Sequence, residues 1–162
     1  MASVPSWQHQ ELVEVVTMTK RAIQERLGVQ SLVFEHGPKV CSYRGGGCLD
    51  HAHFHVVPDA AVLEQVSQDM VRRLGVGDSY RLERIDALRR LAEIYERGQA
   101  SYLYIDTPEL DNRQFVTEIN FHMPSQYLRQ LIARRKGIEQ WDWKQHPDLE
   151  TFQRTLDVFS GA

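Results

Sequence analysis

The sequence predicts an α+β domain, an antiparallel sheet with flanking helices. Several segments carry apolar residues at helical spacing, and between them lie short β-branched and aromatic runs that alternate with period two and end in turn residues. A third observation is the stretch Gly45-Gly46-Gly47-Cys48-Leu49-Asp50-His51-Ala52-His53-Phe54-His55-Val56-Val57-Pro58. In a strand its three imidazoles share one face, the side of the chemistry, while Ala52, Phe54 and Val56 share the other, the side of the core.

Residues 8–27 place Leu12, Val15, Val16, Ile23 and Leu27 at helical spacing, with Gly28 as the stop, which makes an amphipathic helix packed on the sheet. Residues 29–35 are short and rich in β-formers, so they read as a strand that His36-Gly37-Pro38 breaks into a loop. The histidine strand returns antiparallel to it and stops at Pro58, which has no N–H for a ladder. Helical periodicity resumes over 59–74 through Val62, Val66, Met70 and Leu74, with Gly75 at its end. A further helix over 85–95 rests on Ile85, Leu88, Leu91 and Tyr95, with Gly98 beyond it. Residues 101–106 alternate Tyr102 and Tyr104 against Leu103 and Ile105. Residues 114–121 put Phe115, Thr117, Ile119 and Phe121 on one face, and 107–112, rich in Pro, Asp and Asn, turn between the two as a hairpin. Pro124-Ser125 opens a helix over 126–136 that ends at Gly137, and a last helix covers 149–159.

The 162 residues suffice for one domain spanning 1–162, and 42% hydrophobic with 25% charged residues argues against wholesale disorder. A net charge of −3 gives no global electrostatic case for nucleic acid or membrane. Arg129, Arg134, Arg135 and Lys136 form one basic cluster, which reads as a solvated helix face. No apolar run approaches the ~20 residues of a membrane span, and residues 1–7 lack the pattern of a secretory signal, so a cytoplasmic location without a membrane partner is expected. Cys41 and Cys48 form no Cys-x-x-Cys and read as reduced thiols.

A neutral imidazole fixed on a strand can attack phosphorus and carry a nucleotidyl group covalently, and an ordinary pKa near ~6.5 leaves it largely neutral at cellular pH. Three histidines on one face are hard to explain as packing, since each has two ring nitrogens that need partners when buried. His53, flanked by His51 and His55, is best placed as nucleophile. Gly46 and Gly47 would let backbone N–H groups approach phosphate oxygens. The same strand could instead hold zinc through His-x-His, with His36, His122 or Glu35 as further donors, although no spacing singles one out. In residues 122–129 a helix N-terminus could hold an anion and Arg129 could reach a phosphate or carboxylate; a packing helix with an Arg salt bridge is the alternative. Trp141 and Trp143 could stack a base or lid a core.

His51-Ala52-His53-Phe54-His55-Val56-Val57, entered through the glycine run, resembles the histidine triad of the HIT superfamily of nucleotidyl hydrolases and transferases. The resemblance covers about residues 7–58 and is specific between Glu35 and Pro58, with 59–162 as a helical and hairpin extension. It implies a HIT-like sheet that is N-terminally short, because the family carries further strands ahead of the 8–27 helix. It also implies a nucleotidyl-His53 intermediate, with His51 orienting the site by hydrogen bonding, His55 contacting the phosphate, and neither a cofactor nor an obligatory metal. The implied substrates are diadenosine polyphosphates or adenosine phosphoramidates. Where the family reads Gly-Gln-Ser/Thr, this chain has Gly46-Gly47-Cys48, so a thiol, a weaker donor, stands where a hydroxyl contacts the leaving group. Glu35 stands where an amide would reach toward the phosphates. A carboxylate there suits an amine leaving group, or else it pairs with a basic neighbour and serves stability. The family further implies a homodimer through the helix and strand ahead of the triad. The Pro-led helix with Gln126 and Arg129, then Trp141-Asp142-Trp143-Lys144 and the final acidic helix, faintly resemble the C-terminal regions of CwfJ-like proteins, HIT relatives linked to RNA processing, which leaves an RNA end as a partner. Two other functions stay open: a degenerate domain that binds a nucleotide or RNA end without turnover, and a metal-dependent hydrolase on the same strand.

Overall fold

The computed structural model describes residues 4–37, 54–58, 79–97, 101–106, 113–119, 126–142 and 144–160. Helix α1 (His9–Leu27) follows a single 3-10 turn and buries His9, Val16 and Ile23. Gly28, at φ 69°, closes it with its N–H on the Gln24 carbonyl, a left-handed position that glycine occupies without steric cost. The chain continues through β1 (Ser31–Gly37), β2 (His55–Pro58), β3 (Ser79–Glu83), α2 (Arg84–Arg97), β4 (Ser101–Asp106), β5 (Arg113–Ile119), α3 (Tyr127–Arg135) and α4 (Leu149–Ser160). The five strands form one sheet in the order β2-β1-β4-β5-β3, and every neighbouring pair is antiparallel. This is the α+β architecture with antiparallel hairpins expected from the pattern. The helix expected over 59–74 and the turn over 107–112 lie outside the described residues.

Two strands differ from expectation. β1 does not break at His36-Gly37, because His36 pairs with Leu103 and Gly37 with Tyr102, and this ladder outweighs the local turn signal. A Cβ at Gly37 would overlap the Tyr102 ring, so glycine is needed there for close approach rather than for a turn. β3 is not foreseen in the polar, glycine-bearing run that contains it, and it exists by pairing with β5 from Ser79↔Thr117 to Glu83↔Arg113.

Strand alternation sends the apolar side chains to both faces of the sheet, and helices cover both. Val33, Tyr102, Tyr104 and Val116 pack against Val16 of α1 and against Ala87, Leu88, Leu91 and Ile94 of α2. On the opposite face Leu32, Phe34, Leu103, Ile105, Phe115 and Ile119 pack against Leu128, Leu131 and Ile132 of α3. Each fully buried Leu or Ile in these clusters stabilises the fold by about 1.5–3 kcal/mol relative to an exposed one. Arg26 of α1 donates to the Val158 carbonyl of α4, and its guanidinium lies 5.9 Å from the centre of the Phe159 ring. Among the described residues no helix is long and apolar enough to cross a membrane.

Candidate functional site

The described part of the histidine strand begins at Phe54, and its side chains alternate. His55 is the cross-strand partner of Phe34, and their rings stack with centroids 4.7 Å apart and planes 20° from parallel. Phe54 stacks instead on Tyr104, at 5.1 Å and 28°. Phe34 belongs to the α3 cluster and Tyr104 to the α1/α2 cluster, so consecutive residues of this strand face opposite sides of the sheet. Phe54 and Val56 pack on the α1/α2 side, whereas His55 and Val57 face α3. The side that carries His55 is therefore not given to chemistry alone; it is also core.

Alternation along β1 adds a second imidazole to that side. Phe34 and His36 are two residues apart and share a face, and His36 lies opposite the fully buried Leu103 on β4. Burial lowers the His36 pKa below the ordinary imidazole value, because charging a half-buried ring costs desolvation energy. From the sequence alone His36 reads only as a strand breaker and a further metal donor. The missed signal was the Phe-x-His spacing within a strand that runs on.

Glu35 lies on the other face. It is 3% exposed, and its charge contributes to the environment of Tyr104, whose hydroxyl pKa is pushed up by burial first, by the Asp106 carboxylate second and by Glu35 to a smaller extent. The sheet thus separates Glu35 from His55. Beside it sits a charged cluster that sequence spacing did not reveal. Asp106, with a side chain 2% exposed, accepts from Lys20 Nζ of α1 at 3.0 Å and from an Arg84 guanidinium nitrogen at the start of α2 at 2.9 Å. Arg84 also donates to the Thr17 hydroxyl at 2.9 Å. Tyr102, Tyr104 and Asp106 share a strand face, which would have placed a carboxylate under the helices, but its cations come from two distant segments.

Arg129 is half-buried on α3 and donates to the Gln126 side-chain oxygen at 3.3 Å, while Leu128, Leu131 and Ile132 hold the helix on the sheet. That geometry suits a packing helix, although among the described residues the partner of Arg129 is the Gln126 amide rather than the carboxylate of a salt bridge. His51, His53, Gly46, Gly47 and Cys48 lie outside the described residues, as do His122 and Trp143. Among the described residues no group of three or more His, Cys, Asp or Glu side chains gathers in metal-binding geometry. No protein-family model, curated protein or solved structure matches this chain.

Proposed function

We propose that this protein cleaves a nucleoside phosphoanhydride or phosphoramidate, as a hydrolase or transferase, through a covalent nucleotidyl intermediate on His53. One observation carries the structural side of the reading: His55 is fixed on a strand, antiparallel to β1 and stacked on Phe34, within a His-x-His-x-His sequence. An imidazole held by stacking and a backbone ladder loses little further freedom on meeting a phosphate, which is the benefit of mounting such a group on a strand.

In the proposed reaction a ring nitrogen of His53 attacks the phosphorus attached to the nucleoside. A P–N bond forms as the bond to the leaving group breaks; a phosphate leaves as its anion, or an amine leaves after gaining a proton. Water then attacks the same phosphorus and loses its proton, and His53 departs with the bonding electron pair. His51 would orient the nucleophile and His55 would contact the phosphoryl oxygens. Backbone N–H groups around Gly46 and Gly47 would meet the developing charge, with Cys48 beside the leaving group. Glu35 lies on the face opposite His55, so beside that imidazole it gives no reason to prefer an amine leaving group. Both leaving-group classes therefore remain within the proposal.

The test is hydrolysis of diadenosine tetraphosphate and of an adenosine phosphoramidate, each in the presence of a chelator, by the wild type and by His53→Ala. The expected result is chelator-insensitive turnover that falls at least about 10³-fold in the variant, as for loss of an enzymic nucleophile. Turnover abolished by the chelator would move the reading to a metal-dependent hydrolase. Nucleotide binding without turnover would move it to a degenerate domain that recognises its ligand only.

A further inference from the structure

We propose that His36 is a substrate-contacting residue of the same site, donating an N–H from β1 to a phosphoryl oxygen of the nucleotide bound at the histidine strand. This inference rests on the nucleotidyl reading above and adds to it a residue from the neighbouring strand.

The placement comes from the ladder. Phe34 is paired with His55, and the next β1 side chain on that face is His36, so two imidazoles from adjacent strands border one surface of the sheet. On the β4 side His36 is bordered by Leu103, which is apolar and fully buried. An apolar residue would suit that position better if packing were its only task. His9 shows what a structural histidine looks like in this molecule: it is buried, and its Nε2 lies 3.1 Å from the Val4 carbonyl. Among the described residues no such hydrogen bond engages the His36 ring. It is half-buried rather than sealed.

The electrostatics suit a phosphate oxygen. Burial keeps the ring neutral at cellular pH, so it offers one N–H donor and one acceptor without a fixed charge. A neutral donor on the second strand can orient a phosphoryl group without the strong ground-state binding that an extra cation would bring.

The experiment measures kcat and KM on the same two substrates for the wild type, His36→Leu and His36→Gln, with thermal unfolding recorded for each. Donation to phosphate predicts a roughly 10- to 100-fold loss of kcat/KM in His36→Leu, the effect of losing a hydrogen bond to a charged group. It also predicts that His36→Gln, which retains an N–H donor, recovers most of that loss. A packing role predicts the reverse order, with Leu tolerated and Gln impaired. Activity of His36→Leu within twofold of wild type, or His36→Gln no better than His36→Leu, overturns the proposal. Should His36→Leu fail to fold, His36→Asn takes its place as the shorter donor, and activity below that of His36→Gln is the expected result; equal activity overturns the contact. If the wild type turns over neither substrate, the failure belongs to the nucleotidyl reading. His36 is then judged by its imidazole NMR signals, assigned by their loss in His36→Gln, during titration with adenosine monophosphate. A shift supports the contact, and no shift overturns it.

Discussion

Beneath α1 and α2 the sheet buries charge, with Asp106 held between Lys20 and Arg84 and with Tyr104 and Glu35 close by. Beneath α3 it buries Phe34, Leu103, Ile105 and Phe115, and the polar rings that β1 and β2 bring to that side are the imidazoles of His36 and His55. In the first arrangement Asp106 accepts from both Lys20 and Arg84 and so fixes two helices to one strand. The second mounts two half-buried imidazoles beside apolar side chains. Comparison of the two faces shows that Glu35 and His55 lie on opposite sides of the sheet.

The largest effect should come from the charged face. Asp106→Ala leaves Lys20 and Arg84, with side chains 20% and 21% exposed, without their shared carboxylate. Both cations keep some solvent, so the cost falls at the lower end for a broken buried pair, about 3 kcal/mol, or roughly 6–12 °C in Tm. A shift below about 2 °C would mean that the cluster is no more than a surface ion pair. Gly37→Ala comes next, since its methyl group would meet the Tyr102 ring where β1 joins β4. Overpacking of this kind costs about 1–3 kcal/mol, and a denaturant midpoint unchanged from wild type would show that the ring moves aside freely.

The smallest effect is a pH dependence on the imidazole face. The folded-state pKa of His36 is depressed, so its contribution to stability is full above the ordinary imidazole value near ~6.5. It declines as pH falls below that value, where the unfolded chain takes up a proton that the folded chain resists. The difference in Tm between wild type and His36→Gln, followed from pH 7 down to pH 5 (roughly the range over which histidines titrate), should change with pH in that sense. A constant difference would place the ring in full contact with water.

Much of the fold was legible because local pattern and tertiary pairing agreed. β4 alternates over its whole length and is flanked by turn residues, and α1 carries a clear apolar stripe with Gly28 at its end. β1 and β3 were less legible for a common reason: their ends are decided by a partner strand. His36-Gly37 looks like a break until Tyr102 and Leu103 are set beside it, and Ser79–Glu83 has little strand signal of its own. At the site, the Phe54-His55-Val56 alternation could be read directly from the sequence. The side to which Glu35 belongs could not, because that depends on which β1 residue stands opposite His55. The Asp106 cluster was hidden for another reason, since its three charges come from α1, α2 and β4.

The Phe34↔His55 register also restricts how this sequence can change over time. Side chains on a strand have period two, so a one-residue insertion or deletion in the middle of β1 would exchange its two sets of side chains. Glu35 would turn into the apolar layer under α3, while Phe34 and His36 would turn toward Asp106 and Tyr104. Each exchange is unfavourable by itself, and the two would occur together. A change of length is therefore costlier within β1 than in the segments between strands.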